Sequence, residues 1–431
     1  MGLNNHEFQH TEETLRNGLK FLYLDRPQAH SMALIGRVRG GPVCESADNL
    51  GVSHLLEHLH MSVSSRHPTR LEMLRALDDL PGSVDAETDA TGLLFSFDVA
   101  PECTIEALEL LVEILQHRTF PREVIDSEMA LLVTELETMD GYRSAPLQRL
   151  FKGHPYGQPF GGTVRTLRNL TEEQIEAFDR RMFLPSATSV CAVGPLGDGR
   201  LDRLRERLSA IPSTTYEPLE FPEPPEFLLP RFETIAHRGR MCNSTIVFRT
   251  SVLDSPEAYS AVMIARMGLT RFSSPLYEKL RYSRGIAYLF STEWTGLPGV
   301  NLFWIYGTTS GRNRDQFFEE VFRELRRTIE SPSPPAWFEP ARLDYLYAIR
   351  RALDFPASIA NRLVRESHRF GGDISPSIPE EIQVTQELTW QEAQRTYASI
   401  FRRENLFAFA QGINRFLDDR RFRKFVSTLM P

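Results

Sequence analysis

Two histidines and a glutamate fall within five residues of one apolar stretch, GVSHLLEHLHM, residues 51–61. On a helix, His54 and His58 are i and i+4 and project from one face. Glu57, at i+3 from His54, lies on the same side. Two imidazoles so placed can grip a zinc ion and leave the carboxylate beside the metal's open position. The order is HExxH with the helix direction reversed. The competing reading is an ordinary helix that carries some polar residues. His60 is i+2 from His58 and faces away, and it reads with His67 as a non-ligand.

A hydrolytic zinc site uses three protein ligands and one water. Downstream, DSEMALLVTELETMD reads as helical. Glu128 and Glu135 are two turns apart in it, on one face, and Leu131, Leu132 and Val133 help to bury the segment. A carboxylate on the inner side of a buried helix is costly unless paired or metal-bound. The alternative is that Glu128, Glu135 and Glu137 form a solvated face. The apolar context argues against that for at least one of them.

The elements that must position these groups alternate in type. GLKFLYL and SMALIGRVR have strand character, as do LLFSFDV and SATSVCAVGP. Helices are expected from Ser53 to about Val63, over Thr69–Leu80 until Pro81-Gly82 ends it, over CTIEALELLVEILQHR, from Glu123 to Thr138, and from a start signal at Thr171. Residues 213–230 are proline-rich and aperiodic, which reads as a linker between an N-terminal domain, 1–212, and a C-terminal domain, 231–431. The second half repeats the rhythm. NSTIVFRTSV, IAYLFSTEW and GVNLFWIYGTT read as strands, and SPEAYSAVMIARMGL, SSPLYEKLRYSR, QFFEEVFRELRRTIE and WFEPARLDYLYAIRRALDF as helices. The expected class is α+β with two structurally similar domains.

With 431 residues, 41% hydrophobic and 25% charged, the chain can bury a sizeable core in two domains. A formal net charge of −8 argues against a nucleic-acid or anionic-membrane surface. The basic run near the C-terminus reads as a solvated helix face. Cys44, Cys103, Cys191 and Cys242 form no CxxC and read as reduced thiols. No apolar leader and no run of about 18 apolar residues occurs, so a cytoplasmic, membrane-free protein is expected. His6 stands where a myristoylation signal after Gly2 needs Ser or Thr.

Several segments, in order, resemble the pitrilysin/insulinase family of zinc peptidases, which includes the mitochondrial processing peptidase. They are NGLKFLYL, GVSHLLEHLHM, GSVDAETDAT, SEMALLVTELE, GHPYGQPFGGT, FLPSATSVCAVGPL and SSPLYEKLRYSRGIAY. The resemblance covers nearly the whole chain and is to the half-sized, two-domain members. It implies domains that each carry a mostly antiparallel sheet with helices on one face, together half of a clamshell. It implies a Zn2+ cofactor on His54, His58 and Glu135, with Glu57 as general base and Glu128 as a supporting carboxylate. It makes Arg281 and Tyr288 the pair that steadies the substrate carbonyl, ahead of the rival Arg284. The backbone around Ala86, and the strand after Thr91, would pair with an extended peptide substrate. Two departures stand out. Asp85 replaces the family's usual Asn, and MSVSSRHP after the motif differs from the usual pattern, which suggests a changed pocket. The implied activity is a zinc endopeptidase working in an enclosed dimer chamber, a homodimer or a heterodimer with a related subunit, on peptides or on one dedicated precursor. Some relatives are non-catalytic structural or peptide-binding subunits, and that is the second expectation.

Overall fold

The computed structural model describes residues 9–138, 145–226, 231–236, 241–250, 253, 255–367, 376–412 and 424. The expectations for Gly2 and His6, and for the basic run after residue 412 apart from Lys424, lie outside the described residues. The chain forms two compact units. One is Met1–Pro222 with Ala352–Arg369; the other is Glu223–Arg351 with Phe370–Pro431. Both are α+β, each a mostly antiparallel sheet backed by helices.

Among its described residues the first unit has six strands: β1 (Thr11–Thr14), β2 (Lys20–Asp25), β3 (Met32–Arg39), β4 (Gly82–Asp89), β5 (Gly92–Val99) and β6 (Thr188–Gly194). Their spatial order is β1-β2-β6-β3-β5-β4. Only β2 and β6 run parallel. Strand β3 is buried over seven consecutive residues rather than alternately. Both of its faces are covered, which is the circumstance that removes alternation from a strand. On one face lie helices α1 (Val52–Ser62), α3 (Thr104–Gln116) and α4 (Arg122–Thr138), whose apolar sides share a core with Leu34, Val38 and Phe95. Between α1 and α3 comes α2 (Arg70–Asp78), started by a capping box of Thr69 and Glu72.

The opposite face is covered from late in the chain. The helix Pro356–Glu366 buries Ile359, Ala360, Leu363 and Val364. Ser367, just past its end, bonds to Ser189 of β6 at 3.0 Å. The sequence boundaries assign this helix to the C-terminal half, whereas its contacts return it to the first unit. The proline-rich stretch also leans on the first unit as far as residue 222. Leu219 joins its core, and the Tyr156 hydroxyl donates to the Pro222 carbonyl at 2.8 Å.

The second unit carries β7 (Arg231–Ala236), β8 (Met241–Thr250), β9 (Ala287–Leu297), β10 (Val300–Ser310) and β11 (Leu406–Gly412), ordered β7-β11-β8-β10-β9. The helices Pro256–Leu269, Arg314–Glu330 and Trp390–Ile400 build its core with β8 and β10.

Strand β4 is the free edge of the first sheet, and its end is clamped. Buried Arg37 of β3 makes two bonds to Asp89, at 2.7 and 3.0 Å. Arg365 of the late helix reaches Asp89 at 2.6 Å and Glu87 at 2.8 Å. Burial alone would raise the Asp89 carboxyl. Arg37, the Thr91 N–H and Arg365 outweigh it and hold the group near 2, below its ordinary 3.8. A depressed carboxyl stabilises the fold above its unfolded pKa and loses that contribution as pH falls toward the folded one, a contribution on the order of 2 kcal/mol. Urea unfolding followed by far-UV circular dichroism is therefore expected to show stability falling between about pH 4 and pH 2. Asp89→Asn should cost about 2 kcal/mol at pH 7 and flatten that fall.

Candidate metal centre

Helix α1 sorts its residues by face. Val52, Leu55, Leu56 and Leu59 enter the core, while His54, Glu57, His58 and Met61 form the half-exposed stripe opposite, at helical spacing. The start of α1 is held in two ways. Gly51 has φ +92°, and a Cβ there would meet the Gly161 carbonyl oxygen at 2.8 Å, so α1 seats directly on the glycine pair of GHPYGQPFGGT. Glu45 accepts the free N–H groups of Gly51 and Ser53 at 2.7 and 2.8 Å. Burial pushes this carboxyl up to about 7 against those two bonds.

Helix α4 supplies the acids. Glu128 is 1% exposed and packs with Ile125 and Leu132, whereas Leu131 is exposed and takes no part in burying the helix. Of the three candidate acids, Glu137 is on the solvated face, Glu135 is half-buried and Glu128 is inside. Glu128 Oε2 lies 3.2 Å from His58 Nδ1, its carboxylate also accepts from Ser62 Oγ at 2.6 Å, and Arg70 forms an ion pair with it at 3.0 Å. Burial raises the Glu128 carboxyl, and His58, Ser62 and Arg70 more than reverse that. The bond to Glu128 raises His58, whereas burial and the neighbouring His58 lower His54.

With Nδ1 of His58 turned to Glu128, its Nε2 faces outward. Glu135 Oε2 stands 3.9 Å from Nε2 of His58 and 3.9 Å from Nε2 of His54. Ligand atoms of His54, Glu57 and His58 also lie within 4.8 Å of one another. Donors on one tetrahedral zinc sit roughly 3.4 Å apart, so closing these gaps takes only a small inward shift. The donor set of two imidazoles and a carboxylate, with a second carboxylate beside it, fits a zinc ion. Glu57 is occupied differently: its Oε2 accepts a hydrogen bond from the Thr88 hydroxyl on β4. Burial raises the Glu57 carboxyl, with Thr88 pulling the other way.

His60 is fully buried, bonded at 2.7 Å both to the Ile114 carbonyl and to Asp179 and stacked on Phe183, away from the cluster. His67 lies with Ser64 against Glu113 of α3. Asp85 is exposed on the edge strand, and among the described residues its side chain bonds to no protein group, while Ala86 pairs with Phe95 of β5. Strand β5, the strand after Thr91, is paired on both sides by β4 and β3 and so, against the sequence expectation, has no edge to offer a substrate. Between β4 and α1 opens a cleft of about 450 Å³, lined by Glu57, Met61, Leu74, Asp78 and Val84 among others.

In the second unit, the expected helix at SSPLYEKLRYSR is one α turn, Pro275–Tyr277, that widens into a π turn, Glu278–Ser283. π turns of this kind are frequent at functional sites. Here it brings Arg281 to Tyr288: the guanidinium donates to the Tyr288 carbonyl and lies 5.0 Å from the ring centroid. Arg284 is held instead by buried Glu320 at 2.9 Å.

Sequence reasoning missed Thr88, Glu45, Ser62 and Arg70. Thr88 was the most accessible of them. Period-two alternation from Ala86 puts it on the same face of β4.

A family model described as Insulinase (Peptidase family M16) matches residues 20–161, and one described as Peptidase M16 inactive domain matches 169–342. The chain belongs to peptidase family M16. Within it, the chain is 22% identical over 329 residues to the uncharacterized zinc protease YmxG of Bacillus subtilis, covering 74% of this chain and 78% of that one. It is 21% identical over 436 residues to the Schizosaccharomyces pombe protein named probable mitochondrial-processing peptidase subunit beta, covering 96% and 94%. In fold it is similar to the peptidase M16 inactive domain from Pseudomonas fluorescens, with TM-score 0.84 and 16% identity over 94% of this chain and 98% of that one. Among the described residues of this M16 chain, no helix is long and apolar enough to cross a membrane.

If Glu128 orients His58 for a metal, Glu128→Ala should weaken zinc retention about 10- to 100-fold, measured by chelator competition. The same substitution at exposed Glu137 should leave retention unchanged.

Proposed function

We propose that this M16 protein is a zinc endopeptidase that cleaves extended peptides or unfolded segments. The observation that carries the reading is Glu57, a half-buried carboxylate beside His54, His58 and Glu135 and bonded to the edge strand where a substrate backbone can add. Zinc on His54, His58 and Glu135 would supply Lewis acidity, bringing a water's pKa toward neutral and polarising a carbonyl. Glu57 takes the water proton; burial raises its carboxyl, with Thr88 pulling the other way. The protonated carboxyl then passes the proton to the leaving amine. Strand β4 aligns the peptide through backbone hydrogen bonds around Ala86. Asp85, if ionised, accepts hydrogen bonds where Asn could also donate, which favours an N–H or cationic group of the substrate over a carbonyl. Arg281 and Tyr288 serve as fixed cation and phenol donor for the oxyanion.

The reading extends to a dimer, of two copies or with a related subunit, that encloses the substrate and selects it by size or is dedicated to one precursor. The alternative is a non-catalytic subunit of such an assembly. It draws on the inactive-domain model matched over 169–342. The presence together of His54, Glu57, His58 and Glu135 weighs against it.

Purified zinc-loaded chain, incubated with mixed peptides and read by mass spectrometry, is expected to cleave. Glu57→Gln should reduce kcat at least about a hundredfold while zinc content stays at one per chain. Undiminished cleavage by Glu57→Gln would sink the mechanism, and a chain that binds no stoichiometric zinc would favour the non-catalytic reading.

A further inference from the structure

We infer that Thr88 is a positioning residue for Glu57, and that its hydroxyl gives the two oxygens of that carboxylate different tasks. The inference rests on the peptidase reading above and adds a residue to it. The Thr88 hydroxyl donates to Glu57 Oε2. A hydroxyl carries one proton to donate, so it can donate to Oε2 of the carboxylate and keep that bond when a proton arrives on the other oxygen. Oε2 is thereby committed to β4, and Oε1, to which no protein group among the described residues donates, is the oxygen that takes the water proton. That proton moves from water oxygen to Oε1 and then to the amine nitrogen. Thr88 keeps its own proton throughout.

The residue type and its place both suit this task. A glutamate side chain turns about three bonds, and half-exposed Glu57 has no other side-chain hydrogen bond among the described residues to stop it. Threonine is stiff at χ1 and favoured in strands, so its hydroxyl is a fixed reference. Alternation along β4 turns Val84, Ala86 and Thr88 inward, half-buried, and Asp85 and Glu87 outward. Thr88 is paired with Leu93 of β5 and followed by Asp89, which Arg37 and Arg365 clamp. The strand proposed to align the substrate thus also holds the base. Peptide and carboxylate share one frame, and reaction geometry is sensitive at that scale.

The test uses the full zinc-loaded chain and a peptide that it cleaves. Thr88→Val keeps shape and removes the hydroxyl. It should lower kcat about ten- to a hundredfold with KM changed less than about twofold, and zinc content unaltered. Thr88→Ser should recover most of the loss. In a Glu57→Gln background, Thr88→Val should cost nothing further, because the group it orients is already disabled. A kcat unchanged in Thr88→Val, or a loss that appears in KM alone, overturns the proposal. Crystal structures of zinc-bound wild type and Thr88→Val decide it without activity: the Glu57 carboxylate should be fixed on Thr88 in the first and turned or spread in the second. Identical carboxylates would overturn it. A wild-type chain that cleaves nothing would instead count against the peptidase reading, with the crystallographic comparison still deciding the role of Thr88.

Discussion

A carboxylate withdrawn from water must be surrounded by donors, and Glu128 is the place where this chain meets that requirement. An isolated buried charge would cost several kcal/mol. Its two hydrogen-bond partners, His58 and Ser62, come from α1 and its ion-pair partner Arg70 from α2, so the carboxylate ties α4 to both helices at once. Fixing Glu128 also fixes which side of α4 faces α1, and two turns later that side carries Glu135. The outward direction of the His58 Nε2 follows from the same bond. Much of the cluster's geometry is thus a consequence of satisfying one buried group.

What could be read from the sequence is what local periodicity encodes. The spacing of His54, Glu57 and His58 needs only a helix, and the seven-residue interval of Glu128 and Glu135 needs only another. Both helices are present. The same reasoning erred at Leu131, because apolar type does not say which side of α4 meets the core, and Leu131 faces solvent beside buried Leu132. Two features depend on sheet order instead, which no local pattern contains. One is the edge position of β4, next to α1 though separated from β3 by two helices' worth of chain. The other is the return of Pro356–Glu366 to the first sheet, decided by Arg365 meeting Asp89 and Glu87 more than 270 residues earlier. The π turn at Glu278–Ser283 escapes for a third reason: its sequence has ordinary helix formers, and only the hydrogen-bond pattern distinguishes it.

A strand that offers its backbone to a substrate is, by the same property, open to unwanted pairing with any other chain. β4 carries charge in the manner expected of a guarded edge, with Asp85, Glu87 and Asp89 in alternate positions. Those three carboxylates on one strand would repel one another. Arg365 neutralises two of them and Arg37 shares the last, so the repulsion is relieved at the end of the strand that is clamped. Of the three, Asp85 has no ion-pair partner among the described residues; it lies in the middle of the strand beside the cleft. The edge is therefore rigid where it holds Thr88 and Glu57, and carries an uncompensated charge where a peptide would lie. A peptide with a hydrogen-bond donor or a cation opposite Asp85 meets no electrostatic barrier, whereas an acidic one does. Asp85 thus discourages pairing of this edge with acidic chains, copies of itself included.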